Sequence, residues 1–115
     1  MSSVVIKWVD AAAVRRAVDD YAARLLATRD DVEEVVVFGS FANGTFAPGS
    51  DVDIFIVLTA SDKAVRDRVP AFLPDAFPVG VDVFPYTRQE MARLAPSPLL
   101  DAVNASSWRY RRDPS

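Results

Sequence analysis

Apolar positions along the chain follow two periods, and the change from one to the other predicts most of its elements. Val14, Val18, Tyr21 and Leu25 recur at helical spacing behind Asp10, a residue suited to an N-cap. Ala11 to Ala13 favour helix, and Arg15–Asp19 and Arg16–Asp20 fall at i,i+4 on the polar face, spaced for ion pairs. Asp30-Asp31 marks the way out. Val35 to Phe38 is an unbroken, β-branched run closed by Gly39, which reads as a strand buried on both faces. Ser40 to Ser50 contains Gly44, Pro48 and Gly49, so it reads as a loop with at most one short helical turn. Val52 to Leu58 is a second strand, again apolar on both faces.

Proline sets the punctuation of the second half. Ser61-Asp62 looks like the cap of a helix ending before Pro70, and Pro70, Pro74 and Pro78 predict an irregular stretch after it. Val79 to Phe84 reads as a third strand stopped by Pro85. Thr87 to Leu94 reads as a short helix, with Thr87 as cap and Glu90 three residues on in a capping box. Leu99 to Val103 adds a helical turn or two, and Ser107 to Arg111 alternates Trp108 and Tyr110 with polar residues as an edge strand would. With no internal repeat or linker, the pattern predicts one α/β or α+β domain over residues 1–115, built on a small sheet.

Composition narrows the chemistry. The chain has no cysteine and no histidine, which excludes disulfides, thiolate catalysis, imidazole acid–base chemistry and Cys- or His-ligated metals. Carboxylates are the strong metal ligands that remain, and they favour hard cations such as magnesium. A net charge of −3 argues against broad nucleic-acid binding, so no direct nucleic-acid contact is expected. No apolar run is long enough for a membrane helix, and the N-terminus lacks the pattern of a signal peptide. The expectation is a cytoplasmic protein.

One spacing stands out: Gly39-Ser40, ten residues, then Asp51-Val52-Asp53, with an apolar run on either side. Side chains at i and i+2 of a strand share a face, so Asp51 and Asp53 project together. Two adjacent carboxylates repel, desolvation raises the cost, and a divalent cation removes it. Asp82, placed mid-strand in Val81-Asp82-Val83-Phe84, completes a cluster of three if its strand lies beside the second one. Three carboxylates can hold two magnesium ions about 3.5–4 Å apart, one activating a hydroxyl and one steadying a leaving phosphate. The Gly39-Ser40 turn offers unobstructed backbone N–H groups and a hydroxyl to a phosphate. Gly44, Gly49 and Ser50 let the chain fold back so that Asp51 approaches Ser40. A Gly-Ser turn, an Asp-x-Asp or a strand aspartate is ordinary taken singly; it is the joint pattern that points to chemistry.

The stretches Val36 to Gly44 and Gly49 to Ile54 resemble the nucleotidyltransferase domain of the polymerase-β superfamily, and most resemble the minimal nucleotidyltransferases that act as antitoxins beside HEPN-domain toxins. The resemblance implies a small mixed β-sheet flanked by helices. It implies ATP held near Gly39, Ser40, Asn43, Gly44 and Ser50, and magnesium on Asp51, Asp53 and Asp82, with Asp82 helping to activate the acceptor hydroxyl. It further implies transfer of AMP from ATP to a tyrosine of the partner HEPN ribonuclease. The chain departs from the family where Asn43 and Phe41 stand at positions often basic; Arg88 or the Arg109, Arg111 and Arg112 cluster could supply charge from elsewhere. Two alternatives stay open: an antitoxin that neutralises its toxin by binding alone, and a small-molecule transferase, for instance of an antibiotic, completed by a homodimer. Among the aromatics, Phe38, Phe55 and Phe84 are expected in the core, Phe41 and Phe46 in core or loop packing rather than on an adenine. Trp8, Trp108 and Tyr110 could form a surface for a partner chain.

Overall fold

The computed structural model describes residues 10–112, so Trp8 lies outside the described residues. Helix α1 (Ala11–Thr28) begins where Asp10 accepts the Ala13 N–H at 3.0 Å, and it buries Val14, Val18, Tyr21, Ala22 and Leu25. The two expected ion pairs on its polar face do not form. Arg15 lies instead over the Trp108 ring, 4.5 Å from its centroid, and Asp19 accepts from the Tyr110 hydroxyl. An aromatic face and a partly buried phenol compete well with a solvated carboxylate.

Strand β1 (Val32–Phe38) starts before the apolar run, because Glu34 is drawn into the sheet. Its side chain is 5% exposed and accepts from Arg109 at 3.0 Å and Arg111 at 2.7 Å. Burial pushes the Glu34 carboxyl up, but the two guanidinium groups outweigh it and hold the carboxyl below its ordinary value. After the single turn α2 (Ser40–Asn43) come β2 (Val52–Leu58), α3 (Val65–Phe72), β3 (Val81–Thr87), α4 (Arg88–Leu94), α5 (Pro98–Ala105) and the short β4 (Arg109–Arg111). The sheet order is β3-β2-β1-β4; β1 runs antiparallel to β2 and β4, while β2 and β3 are parallel. The small mixed sheet flanked by helices is therefore observed.

Two prolines expected to end elements, Pro70 and Pro85, sit inside them, whereas α4 stops just before Pro96 as expected. α3 runs through Pro70 and takes Ala64 as its N-cap rather than Ser61-Asp62; the Ser61 hydroxyl accepts from Lys63 N–H in the turn before it. Losing one helical bond there is offset by burial of Phe72, whose carbonyl accepts the Tyr21 hydroxyl at 2.5 Å. β3 begins at Val81, not Val79, and continues through Pro85 to Thr87. It is an edge strand, where a missing N–H on the outer side costs no ladder bond. The capping box of α4 forms as expected, Thr87 and Glu90 exchanging bonds of 3.1 and 2.8 Å.

Helices cover both faces of the sheet, which is why β1 and β2 can be apolar throughout. Tyr21, Leu25 and their neighbours on α1, with Phe72 of α3, pack on Val35, Val37, Ile54, Ile56 and Val83. Leu100 and Val103 of α5 pack on Val36, Phe38, Phe55 and Val57, with Phe84, Tyr86 and Met91 at the margin. Among the described residues no helix is long and apolar enough to cross a membrane.

Candidate active site

Because β1 is antiparallel to β2 and β2 parallel to β3, the end of β1 meets the starts of β2 and β3 at one end of the sheet. Phe38, Asp53 and Asp82 lie side by side in register across the three strands. Asp51, two residues before Asp53, shares its face by strand alternation. Next along that face come Phe55 beside Asp53 and Phe84 beside Asp82, with Phe38 5.3 Å from Phe84 and 6.5 Å from Phe55. This aromatic floor keeps water from one side of Asp53. Burial, then the charges of Asp82 and Asp51, raise the proton affinity of its carboxyl above the ordinary aspartate value. Asp51 and Asp82 thus both lie within electrostatic reach of Asp53.

Asp82 is placed differently from expectation: near the start of β3 and exposed, so no burial cost attaches to it. Among the described residues the three carboxylates do not converge into a ready-made cage. Asp53 leans on Gly39 and Asp51 on Gly80, so that a Cβ at either glycine would collide with a carboxylate oxygen. Magnesium suits such an open set, since it takes hard oxygen ligands, keeps several waters and completes its shell with substrate phosphates. The mutual repulsion felt by Asp53 is what a bound cation would relieve.

Gly39 has φ 78° and ψ −151°, a conformation that only glycine adopts readily, and it turns the chain from β1 straight into α2. Among the described residues nothing accepts from the N–H groups of Ser40, Phe41 or Ala42, and the Ser40 hydroxyl has no partner. These donors stand on the turn that also carries the close approach of Asp53. Asn43 is exposed, its N–H bonded to the Gly39 carbonyl at 3.0 Å. Gly44 ends the turn at φ 76°. Ser50 is held in the loop, its hydroxyl accepting from Ala47 N–H at 2.9 Å. Phe41 and Phe46 stack on each other at 4.6 Å and join the core, as packing residues would.

The arginines considered as substitutes for a basic turn are engaged elsewhere. Arg88 pairs with Glu33 at 2.6 Å, Arg109 and Arg111 with Glu34, and Arg112 with the Arg29 and Val32 carbonyls. Trp108 and Tyr110 bond to each other and turn toward α1. The residue the sequence reading passed over is Gly80. Its carbonyl accepts Val52 N–H at 2.9 Å, which pins the starts of β2 and β3 together, and its bare Cα makes room for Asp51. A lone glycine just ahead of an Asp-bearing strand was the available signal.

The sequence pattern of the family described as a nucleotidyltransferase domain matches residues 20–98, which contain every site residue named above. No curated protein matches the chain. Among solved structures, a candidate nucleotidyltransferase from Sulfolobus solfataricus superposes with a TM-score of 0.58 at 21% identity, over 93% of this chain and 89% of that one. At that identity the likeness speaks for the fold.

Proposed function

The chain belongs to the nucleotidyltransferase domain family, and from that premise we propose that it transfers AMP from ATP to a protein hydroxyl, that of a tyrosine on a HEPN-type toxin, and so acts as its antitoxin. One observation carries the reading. Asp53 and Asp82 stand in register on one face, with Asp51 beside them, next to a glycine turn whose backbone donors are free. The Ser40, Phe41 and Ala42 N–H groups and the Ser40 hydroxyl hold the phosphates. Magnesium, when bound by Asp51, Asp53 and Asp82, would neutralise the carboxylates and the triphosphate together. Asp82, exposed on the outer strand of the sheet, orients the acceptor hydroxyl and takes up its proton. The acceptor oxygen bonds to the α-phosphorus in line, the bond from that phosphorus to the β-bridging oxygen breaks, and pyrophosphate leaves. Positioning and charge neutralisation do the work.

The test mixes purified protein, magnesium and α-labelled ATP with the HEPN protein encoded beside it. Label on a tyrosine of that partner is the expected result; a folded, magnesium-binding protein that leaves the partner unlabelled overturns the assignment. Asp82→Asn should lower the transfer rate by about 100-fold while changing ATP affinity little, since its task is proton uptake and acceptor alignment. Neutralisation by binding alone is the second reading, favoured by the engagement of Arg88, Arg109, Arg111 and Arg112 away from the turn. Under it, an Asp51→Ala, Asp53→Ala double variant still neutralises the toxin at equal dose.

A further inference from the structure

β3 is an outer strand, and half of its outer edge is already closed. Val52 N–H bonds to the Gly80 carbonyl, which by parallel pairing turns Gly80, Asp82, Phe84 and Tyr86 toward β2 and points the backbone groups of Val81, Val83, Pro85 and Thr87 outward. The outward groups at the far end are taken. Pro85 has no N–H and its carbonyl accepts from Arg68 at 2.9 Å, while Thr87 N–H bonds to Glu90 at 2.8 Å. Arg68, 4% exposed, is itself clamped by both Glu90 oxygens, at 2.6 and 2.9 Å, so this seal is rigid. Among the described residues, nothing bonds to the outward N–H or C=O of Val81 or Val83. Val83 is 7% exposed and Val81 half-buried, and unpaired backbone groups on an outer strand form a template for an added strand. The open half is the half beside Asp82.

We propose that the acceptor protein docks here as an extended segment, adding a strand to the Val81–Val83 edge and presenting its hydroxyl residue next to Asp82; the inference rests on the transfer reading above. Strands pair about 4.8 Å apart and a residue opposite Asp82 projects from the same face, so its side chain enters the space over Asp82 and Asp53. The Arg68–Glu90–Pro85 seal fixes the register by stopping the added strand at its far end. Backbone pairing supplies affinity without demanding a particular sequence, and charge supplies the selection. Asp51, Asp53 and Asp82 make this corner acidic. They favour a segment flanked by Lys or Arg and repel a nucleic-acid strand.

The probe is a short synthetic peptide of alternating valine and threonine around a central tyrosine, with an arginine at each end, added to the full-length protein with magnesium and α-labelled ATP. Amide hydrogen exchange followed by NMR reads docking, and label on the tyrosine reads chemistry. In the free protein the Val81 and Val83 amides should exchange readily, while those of Asp82 and Phe84, bonded to β2, are protected. Saturating peptide should slow Val81 and Val83 by about tenfold or more and leave the others unchanged. N-methylating alternate peptide amides should abolish that protection in one phase of the alternation and spare it in the other. Labelling of the peptide without protection of Val81 and Val83 overturns strand addition and leaves nucleotidyl transfer standing. Protection without label keeps the docking site and sinks transfer to a protein hydroxyl. Neither effect at saturating peptide, or Val81 and Val83 amides already protected in the free protein, overturns the docking proposal.

Discussion

Gly80→Ala separates the geometry of the site from the stability of the fold. A Cβ at this position would collide with Oδ1 of Asp51 and stand 3.0 Å from its Cγ. Since non-bonded carbon and oxygen rest at about 3.5 Å, the carboxylate must swing away by roughly 1 Å. Asp51 is exposed, so the swing costs the fold little, and the Gly80 backbone is not in the left-handed region, so alanine is not strained there. Removing a glycine also restricts the unfolded chain, which favours the folded state by about 0.4–1 kcal/mol. The transfer step, by contrast, is sensitive to misplacement on that scale, at about 100-fold for 1 Å, or about 2.7 kcal/mol of barrier. The expected outcome is a midpoint of urea unfolding that is unchanged or slightly raised, with labelled-nucleotide transfer reduced by about 10–100-fold. Wild-type transfer in Gly80→Ala would falsify the placement of Asp51 in the site. A cooperative loss of stability would show that Gly80 serves packing instead.

Gly39→Ala should fail on both counts, because φ 78° disfavours alanine and the new Cβ meets Asp53: a loss of about 1–3 kcal/mol by urea unfolding accompanied by loss of transfer. Asp53→Asn should abolish transfer yet leave the metal-free protein as stable or more so, since it removes the charge repelled by Asp82 and Asp51; magnesium should then raise its Tm less than that of the wild type. Glu90→Ala leaves the Arg68 guanidinium buried without its carboxylate and should cost about 2 kcal/mol, toward the low side for such pairs because Glu90 is partly exposed. The Arg68 hydrogen bond holds the Glu90 carboxyl at about 2, below its unfolded value, so its stabilisation is full above the ordinary carboxylate range and disappears as pH falls toward 2. Unfolding midpoints taken across that acid window should fall steeply for the wild type and less so for Glu90→Ala; parallel curves would rule the pair out as an acid-sensitive contact.

What the sequence made legible was what local rules govern. The Asp10 cap, the Thr87–Glu90 capping box, the valine runs and the Asp51-x-Asp53 spacing each state their structure within a few residues. Its failures came where a distant partner overrode a local rule. Glu34 reads as a polar residue before a strand until Arg109 and Arg111, far along the chain, neutralise it inside the sheet. Pro85 reads as a stop until the strand order shows that its missing N–H faces outward, with Arg68 on its carbonyl. Arg15 and Asp19 read as partners until Trp108 and Tyr110 arrive. At the site, the pairing of Asp53 with Asp82 depended on β3 lying beside β2, which no residue of either strand announces. Gly80 was silent for the same reason, since its role exists only once Asp51 folds over it.

The three-residue strand β4 has a protective consequence out of proportion to its length. It pairs with Glu34, Val35 and Val36 on the side of β1 away from β2, where both valines are 0% exposed. Strip it away and the sheet would present an apolar, β-branched run with unpaired backbone groups, the kind of segment that seeds aggregation. Glu34 would be left there as well, without Arg109 and Arg111 to neutralise it. The arginines of β4 thus act as gatekeepers, and proteolytic trimming from the C-terminal side would convert a folded protein into a self-associating one before it touched the carboxylate end of the sheet.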